Sequence, residues 1–380
     1  MHIAVIGLGP AGALLAHRAA RNGWTVDAYD PRCTATPAGD LQLPRWTSTY
    51  GVFPGSLPGW VREVVAFSSV TPDLEVYTPR RRSLGGRDYA IIDRDETRRR
   101  LSTAGDGLRL HRRKVDALDP VALGVDVVVD CRGVVDRAGD LRQVAYGVVV
   151  PSTGEPPEPA VFMDWRPAAG AGAPPSFLYV QHVDGGTLYE ETVLVTRRRT
   201  RVMLEVLERR LSARLPQFTG YTTTETVHFP VARRVRGWYT GVRDGVAVFG
   251  AAGGMTHPAT GYSVAESAST VDRMLSMLDK GALPRRERLS ASLAYRLRLL
   301  GAELVAVADG ATLQRFFDAF FELPAHRQMS YLTGQHGGGV ALTMLALARY
   351  PRRVLPFLRP LPRVLWAMAV GGRCARRPGT

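Results

Sequence analysis

The chain has 380 residues, of which 45 % are hydrophobic and 22 % charged; this is the profile of a folded protein with one or more sizeable cores and excludes a disordered one. Its cysteines, Cys33, Cys131 and Cys374, are too widely spaced for a zinc site or a disulfide framework, so no metal is expected and a reducing cytoplasm is the simple setting. The net charge of +14 is carried mostly by arginine, in runs such as Arg80-Arg81-Arg82, Arg98-Arg99-Arg100 and Arg197-Arg198-Arg199; no nucleic-acid module accompanies them, which leaves an anionic membrane surface or ordinary solvated faces as their use.

The chain enters a core-like strand at once, so no secretory leader is expected. His2-Ile3-Ala4-Val5-Ile6 reads as a buried parallel strand, and Gly7-Leu8-Gly9-Pro10-Ala11-Gly12 leads into an Ala/Leu-rich helix to Arg21. A second strand, Trp24 to Tyr29, ends at Asp30. Gly7 suits a tight turn, Gly9 lets backbone approach a pyrophosphate, and Gly12 lets helix pack on strand. The helix start offers free N–H groups to the phosphates, and Asp30 stands where a ribose hydroxyl is accepted. The reading is a dinucleotide-binding domain.

Residues 31–59 are loop-like and carry an aromatic-polar stretch from Trp46 to Phe53, including Tyr50, of the kind that lines a pocket. Tyr89 to Arg94 is a strand running into a charged helix. Asp93-Arg94 at this junction matches flavoproteins of the hydroxylase type, where the pair contacts the cofactor; helix capping by Asp93 is the plainer alternative. Val125 to Asp130 is another strand, followed by Cys131-Arg132-Gly133 where such flavoproteins have Ala-Thr-Gly. Short strand-like runs then follow at Tyr146–Val150, Val161–Asp164, Ser176–Gln181, Thr187–Thr196 and Thr226–Pro230, an antiparallel pattern, with a helix from Thr200 to Leu215 between the last two. Val246 to Gly250 is a buried strand, and the glycine-rich turn from Ala251 to Gly261 feeds a helix to about Leu278. From Leu289 onward the chain is helical, apolar and basic. Its apolar runs, Ala341–Ala348 and Val364–Val370, are shorter than the ~20 residues a spanning helix needs. Laced with Arg349, Arg352, Arg353, Arg359 and Arg363, they suit a membrane surface or a packed helical cap.

Several segments together resemble the lycopene cyclase family, flavoproteins that close terminal isoprenoid rings. They are Tyr50-Gly51-Val52, Ala145-Tyr146-Gly147, Phe162-Met163-Asp164-Trp165-Arg166, Phe177-Leu178-Tyr179, Leu188-Tyr189-Glu190-Glu191-Thr192, Gly250-Ala251-Ala252, His257-Pro258-Ala259-Thr260-Gly261-Tyr262 and Phe316-Phe317-Asp318-Ala319-Phe320-Phe321. They fall in the family's order over nearly the whole chain. Pro230-Val231-Ala232-Arg233 stands where the family has Pro-Met-Gly-Gly, which leaves room for a substrate other than lycopene.

The resemblance implies an α/β fold. A discontinuous Rossmann-type FAD-binding domain (1–145 and 236–285, with 31–85 including a substrate-side loop) is joined to an antiparallel-sheet substrate domain (146–235). A C-terminal helical region (286–380) associates with the membrane. FAD would be held by Gly7, Gly9, Pro10, Ala11, Gly12, Asp30, Asp93, Arg94, Gly133, Gly250, Ala251, Gly261 and Tyr262, and would be needed reduced, with NAD(P)H as direct or indirect reductant. The implied reaction protonates a terminal isoprene double bond, lets an internal double bond attack the cation, and releases a proton. An acid still protonated near neutral pH is required, and burial beside a second carboxylate supplies one. The family places its acid in the Glu190-Glu191 motif. Neighbours on a strand point to opposite faces, so only one can face a cavity; Glu190 is the first choice, Glu191 the second, and Asp164 a third candidate whose plainer role is a salt bridge to Arg166. Tyr50, Trp165, Tyr179 and His257 are expected around the substrate. The partners are then a hydrophobic isoprenoid, a membrane surface and a flavin reductant, with the protein on the cytoplasmic face of the membrane. A redox monooxygenase or prenyl reductase on the same fold is the alternative.

Overall fold

Branched apolar side chains on consecutive residues demand cover on both faces of a strand, and His2–Ile6 receives it, with every residue after His2 buried. In the computed structural model this strand is central in a five-stranded parallel sheet, ordered Leu108–His111, Thr25–Tyr29, His2–Ile6, Val127–Asp130 and Val246–Val248. The structure describes all residues except 73, 104, 153–158, 169–171, 216–219, 233–234, 259, 262, 334–335 and 375–380. Helices Pro10–Arg21 and Val264–Lys280 pack together on one face of the sheet, where Leu14, Leu15, Val271 and Met274 join Ile3 and Val5 in one core. The fifth strand and the second of these helices come from beyond residue 240, so the domain is discontinuous in sequence.

A seven-stranded sheet is ordered Thr223–Ala232, Leu141–Pro151, Gly186–Thr196, Phe177–Val183, Val161–Asp164, Glu75–Tyr77 and Arg81–Ser83. It is antiparallel except where Val161–Asp164 runs parallel to Glu75–Tyr77. Two short strands from before residue 85 therefore complete a sheet whose signature lay later in the chain. Helix Thr200–Arg214 covers one face, burying Met203 and Leu207 against Val144 and Val193. The other face meets the C-terminal region, where the described residues form six α-helices: Arg285–Val307, Gly310–Glu322, Ala325–Leu332, Gly337–Ala346, Pro351–Leu358 and Leu361–Cys374. The aromatic run from Phe316 is buried there, with Phe317 stacked on Trp165 at 4.9 Å.

Several of the arginines are structural. Arg98 is buried and donates to the carbonyls of Leu43 and Pro44. Arg82 bridges Asp318 and Glu322, both also paired with Arg353, and Arg197 pairs with Glu303. The Arg82 and Arg197 ties fasten the C-terminal helices to the seven-stranded sheet.

The first turn is set by steric constraint. Gly7 has φ 95°, and a Cβ at Gly12 would stand 2.0 Å from the Gly7 carbonyl oxygen. Gly12→Ala is expected to cost at least about 3 kcal/mol, as overpacking against rigid backbone does. Loss of soluble expression or a strongly lowered melting temperature checks it.

Candidate active site

Three turns converge at the C-terminal edge of the parallel sheet. Gly9 precedes helix Pro10–Arg21 with Pro10 in its first turn, and a Cβ at Gly9 would meet nothing within 4 Å. The helix start thus faces open space with its N–H groups and positive dipole end, as a pyrophosphate requires. Gly250, at φ 62°, brings the late turn against the same helix: its Cβ would lie 2.7 Å from that of Ala11. Asp30 is buried and accepts from the Leu8 N–H at 3.1 Å and the Arg32 N–H at 2.9 Å, while Arg32 also pairs with it. Asp93 caps helix Arg94–Leu101 by accepting from the Glu96 N–H, and Arg94 donates to the Thr47 carbonyl at 2.8 Å.

From these turns a cavity of about 410 Å³ runs between the seven-stranded sheet and the C-terminal helices. Gly133, Ala251, Thr256 and Gly261 line its cofactor end, together with Gln143, whose buried side-chain oxygen has no hydrogen-bond partner among the described residues. Phe162, Phe177, Leu194, Phe229, Phe317 and Phe321 make much of the wall, and Met344 and Leu358 lie at its helical end.

One rung of the sheet carries the cavity's carboxylate. Glu225, Gly147, Glu190 and Tyr179 are in register on four adjacent strands, and the Tyr179 hydroxyl lies 3.0 Å from that of Tyr89. Glu190 is 9 % exposed and accepts a hydrogen bond from the Thr192 hydroxyl at 2.7 Å. Burial, and after it the Glu225 charge, raise its carboxyl to about 8. Glu191, 0 % exposed, faces the covering helix instead, where it accepts from the Ser176 hydroxyl and pairs with Arg214 at 2.7 Å.

The remaining expected residues are placed as follows. Tyr50 and Tyr179 line the cavity. Asp164 lies outside it, in a separate depression, bridged to Arg166 at 2.6 Å. Trp165 and His257 are not cavity-wall residues, which corrects the expectation for both. The Trp165 ring stacks behind Phe317, and His257 is fully buried with Nε2 3.0 Å from the Tyr331 carbonyl oxygen. Burial and the nearby Arg298 hold the His257 imidazole well below its ordinary proton affinity. Tyr262 lies outside the described residues, as do Ala259 and Arg233. The sequence reading missed Glu225, Gln143 and Tyr89. The first two sit on the cavity side of strands with period-two alternation (Glu225, Val227, Phe229; Gln143, Ala145, Gly147), and that phase was the available signal.

The family model described as lycopene cyclase protein matches residues 2–345. The chain belongs to the lycopene cyclase family. Within it, an uncharacterized carotenoid cyclase of Deinococcus radiodurans is 30% identical over 90% of this chain and 88% of its own. Among solved structures, a geranylgeranyl bacteriochlorophyll reductase-like protein from Thermoplasma acidophilum superposes with a TM-score of 0.58 at 13% identity, covering 96% of this chain and 98% of its own. CmlS, a flavin-dependent halogenase, gives 0.52 at 15% identity, covering 93% and 78%. These likenesses establish the fold as the α/β FAD-binding type expected from the resemblance.

The placement of Glu190 fixes a sign. Its folded-state proton affinity is raised, so the native protein binds a proton that the unfolded chain releases from about pH 4.5 upward, and the stabilisation is lost as pH rises toward 8. Glu190→Gln should therefore match wild type in melting temperature at pH 5 or below and exceed it at pH 9. Thermal denaturation at the two pH values checks it.

Proposed function

We propose that this protein closes the terminal ring of a linear carotenoid-like polyene by proton transfer from Glu190, without net oxidation. The observation that carries the proposal is Glu190 itself: within the motif only this glutamate enters the apolar cavity, in surroundings that favour its protonated form.

The Glu190 carboxyl gives its proton to the terminal double bond, making a C–H bond and a tertiary cation. The internal double bond supplies two electrons for the ring-closing C–C bond. A ring carbon then loses a proton, which the Glu190 carboxylate can take back, so substrate and product have equal mass. Phe162, Phe177, Phe317 and Phe321 keep water from the cation, and the Tyr179 face is available to it.

FAD fits the residues present. Gly9 leaves the helix start open to a pyrophosphate, and Ala11 and Gly250 close the other side of the turn. Gly133, Ala251, Gly261 and the unpartnered Gln143 oxygen meet the cavity at that end. When bound and reduced, FAD would supply negative charge against the cation; NAD(P)H or a reductase would keep it reduced. Asp30, through its hold on Leu8 and Arg32, shapes the cradle and stands where the ribose is read.

The substrate class also bears on location. No helix among the described residues is long and apolar enough to cross a membrane. Leu342, Leu345, Leu355, Leu365 and Trp366 are nevertheless exposed, Trp366 to 69%. They share the C-terminal helices with exposed Arg349, Arg352, Arg359 and Arg363, and this face adjoins the cavity end at Met344 and Leu358. Peripheral attachment there to an anionic leaflet on the cytoplasmic side would deliver a polyene to the cavity without passage through water.

With lycopene as probe substrate and reduced FAD, wild type should give product of unchanged mass. Glu190→Gln should lose at least 10²–10⁴-fold, roughly the range for general acid catalysis, while still binding FAD; Asp164→Asn should stay near wild type. A product heavier by hydrogen or oxygen would instead mark a reductase or monooxygenase. Gly9→Val should fold yet fail to bind FAD, read by flavin absorbance after gel filtration. Binding to anionic liposomes should weaken with added salt and with Leu355→Asp; recovery in the supernatant with and without liposomes would exclude the attachment.

A further inference from the structure

Glu190 is the carboxylate that lines the cavity, but a second carboxylate stands on the same face of the sheet. The strand beside it carries Gly147 in its register position, and the strand beyond carries Glu225 in the same rung. Directly paired residues on adjacent strands point to the same face, so both glutamates stand on the cavity side of the sheet with no side chain of strand Leu141–Pro151 between them: the intervening residue has none. A Cβ at Gly147 would lie 3.2 Å from that of Glu190. A larger residue there would put a wall in the rung.

Glu225 is also held in place. Its two carboxylate oxygens accept from the Thr49 N–H at 2.7 Å and the Thr49 hydroxyl at 2.6 Å. Thr49 belongs to the loop whose Thr47 carbonyl is fixed by Arg94 and whose Tyr50 lines the cavity. Both Glu225 oxygens are thus held by the one residue. Glu190 has one hydroxyl donor, from Thr192, and is the more deeply buried of the two. The rung thus gives two chemically identical groups different surroundings: Glu225 is gripped by Thr49, and Glu190 is buried in a setting that favours its protonated form.

The other groups facing Glu190 are weakly charged or neutral. Tyr179 on the next strand is engaged with Tyr89, and the Leu141–Pro151 strand contributes Gln143 and Gly147. The C-terminal helices contribute Tyr331, whose hydroxyl burial raises to about 12. No arginine, lysine or histidine lines the cavity among the described residues; Arg94 and Arg32 act on Tyr50, at the loop. Glu225 is therefore the one charge in the rung that can act on Glu190 at short range.

We propose that Glu225 is a positioning residue for the acid: gripped by Thr49 and separated from Glu190 in the rung only by Gly147, it supplies the fixed negative charge that keeps the proton on Glu190. This rests on the assignment of Glu190 as proton donor. The role predicts a particular signature, because removing the charge changes when Glu190 loses its proton rather than whether it can give one.

The experiment compares the pH dependence of lycopene cyclisation by FAD-loaded wild type, Glu225→Gln, Glu225→Asp and Glu190→Gln. In Glu225→Gln the alkaline limb should move toward acid by about one pH unit, so that turnover falls about tenfold on the alkaline side and matches wild type near pH 6. Glu225→Asp, which restores the charge, should move the limb back. An infrared titration reads the same proton without turnover: the carbonyl stretch of a buried protonated carboxyl, absent in Glu190→Gln, should vanish at lower pH in Glu225→Gln than in wild type. Flavin absorbance and melting temperature establish that each variant is folded; if the glutamine variant is not, Glu225→Ala is used with the same expected displacement. An unmoved limb and infrared band in a folded variant overturns the proposal, as does an equal loss at every pH. Full activity in Glu190→Gln would overturn the assignment of the acid instead, a result distinct from either.

Discussion

Period-two alternation on a single strand, Gly186–Thr196, is the constraint on which the site depends. Leu188, Glu190, Thr192 and Leu194 point one way and Tyr189, Glu191 and Val193 the other. Because the C-terminal helices cover the first face and helix Thr200–Arg214 the second, both faces are dry and a charge on either must be answered. Arg214 answers Glu191 with an ion pair. No cation among the described residues answers Glu190, and burial favours its protonated form. Two adjacent, identical residues become a structural anion and a buried acid solely through the face each one meets.

The rest of the architecture serves that asymmetry. The parallel sheet and its glycine turns bring a cofactor cradle to one end of the cavity, while the aromatic run of helix Gly310–Glu322 seals the wall opposite the sheet. Ion pairs such as Arg82 with Asp318 and Glu322 tie the helices to the sheet edge. A basic protein with few acidic groups to spare uses several of them at these joints. Its excess charge is then a surface property distinct from its core ties, and on the C-terminal helices it accompanies exposed leucines and a tryptophan.

The glycine fingerprint, the parallel strands and the helix Thr200–Arg214 were legible because each has a local period or a local steric demand. Strands Glu75–Tyr77 and Arg81–Ser83 were not: at three residues each, they carry no period, and their place comes from pairing with residues far along the chain. The opposed faces of Glu190 and Glu191 followed from strand geometry, but which face was the cavity depended on what packed there. Trp165 and His257 illustrate the limit. An aromatic or a histidine in a motif is compatible with a cavity wall or with the layer behind it, and here both stand behind. Glu225 escaped notice because its partner in the rung is a glycine, which carries no chemical signal of its own, and because the other carboxylate lies two strands away.

The late turn at Gly250, pressed against Ala11, has a consequence for biosynthesis. The helix that begins with Ala11's turn is synthesised first, yet its packing partner, helix Val264–Lys280, and the sheet's last strand emerge only after the whole seven-stranded sheet has been made. Contacts of such separation in sequence form slowly, since a long loop must close before they repay it. The amino-terminal strand and helix therefore leave the ribosome exposed and unfinished, and the nucleotide cradle comes into being only when roughly three quarters of the chain is out. Completion of the FAD-binding fold is a closing event of folding, not an opening one.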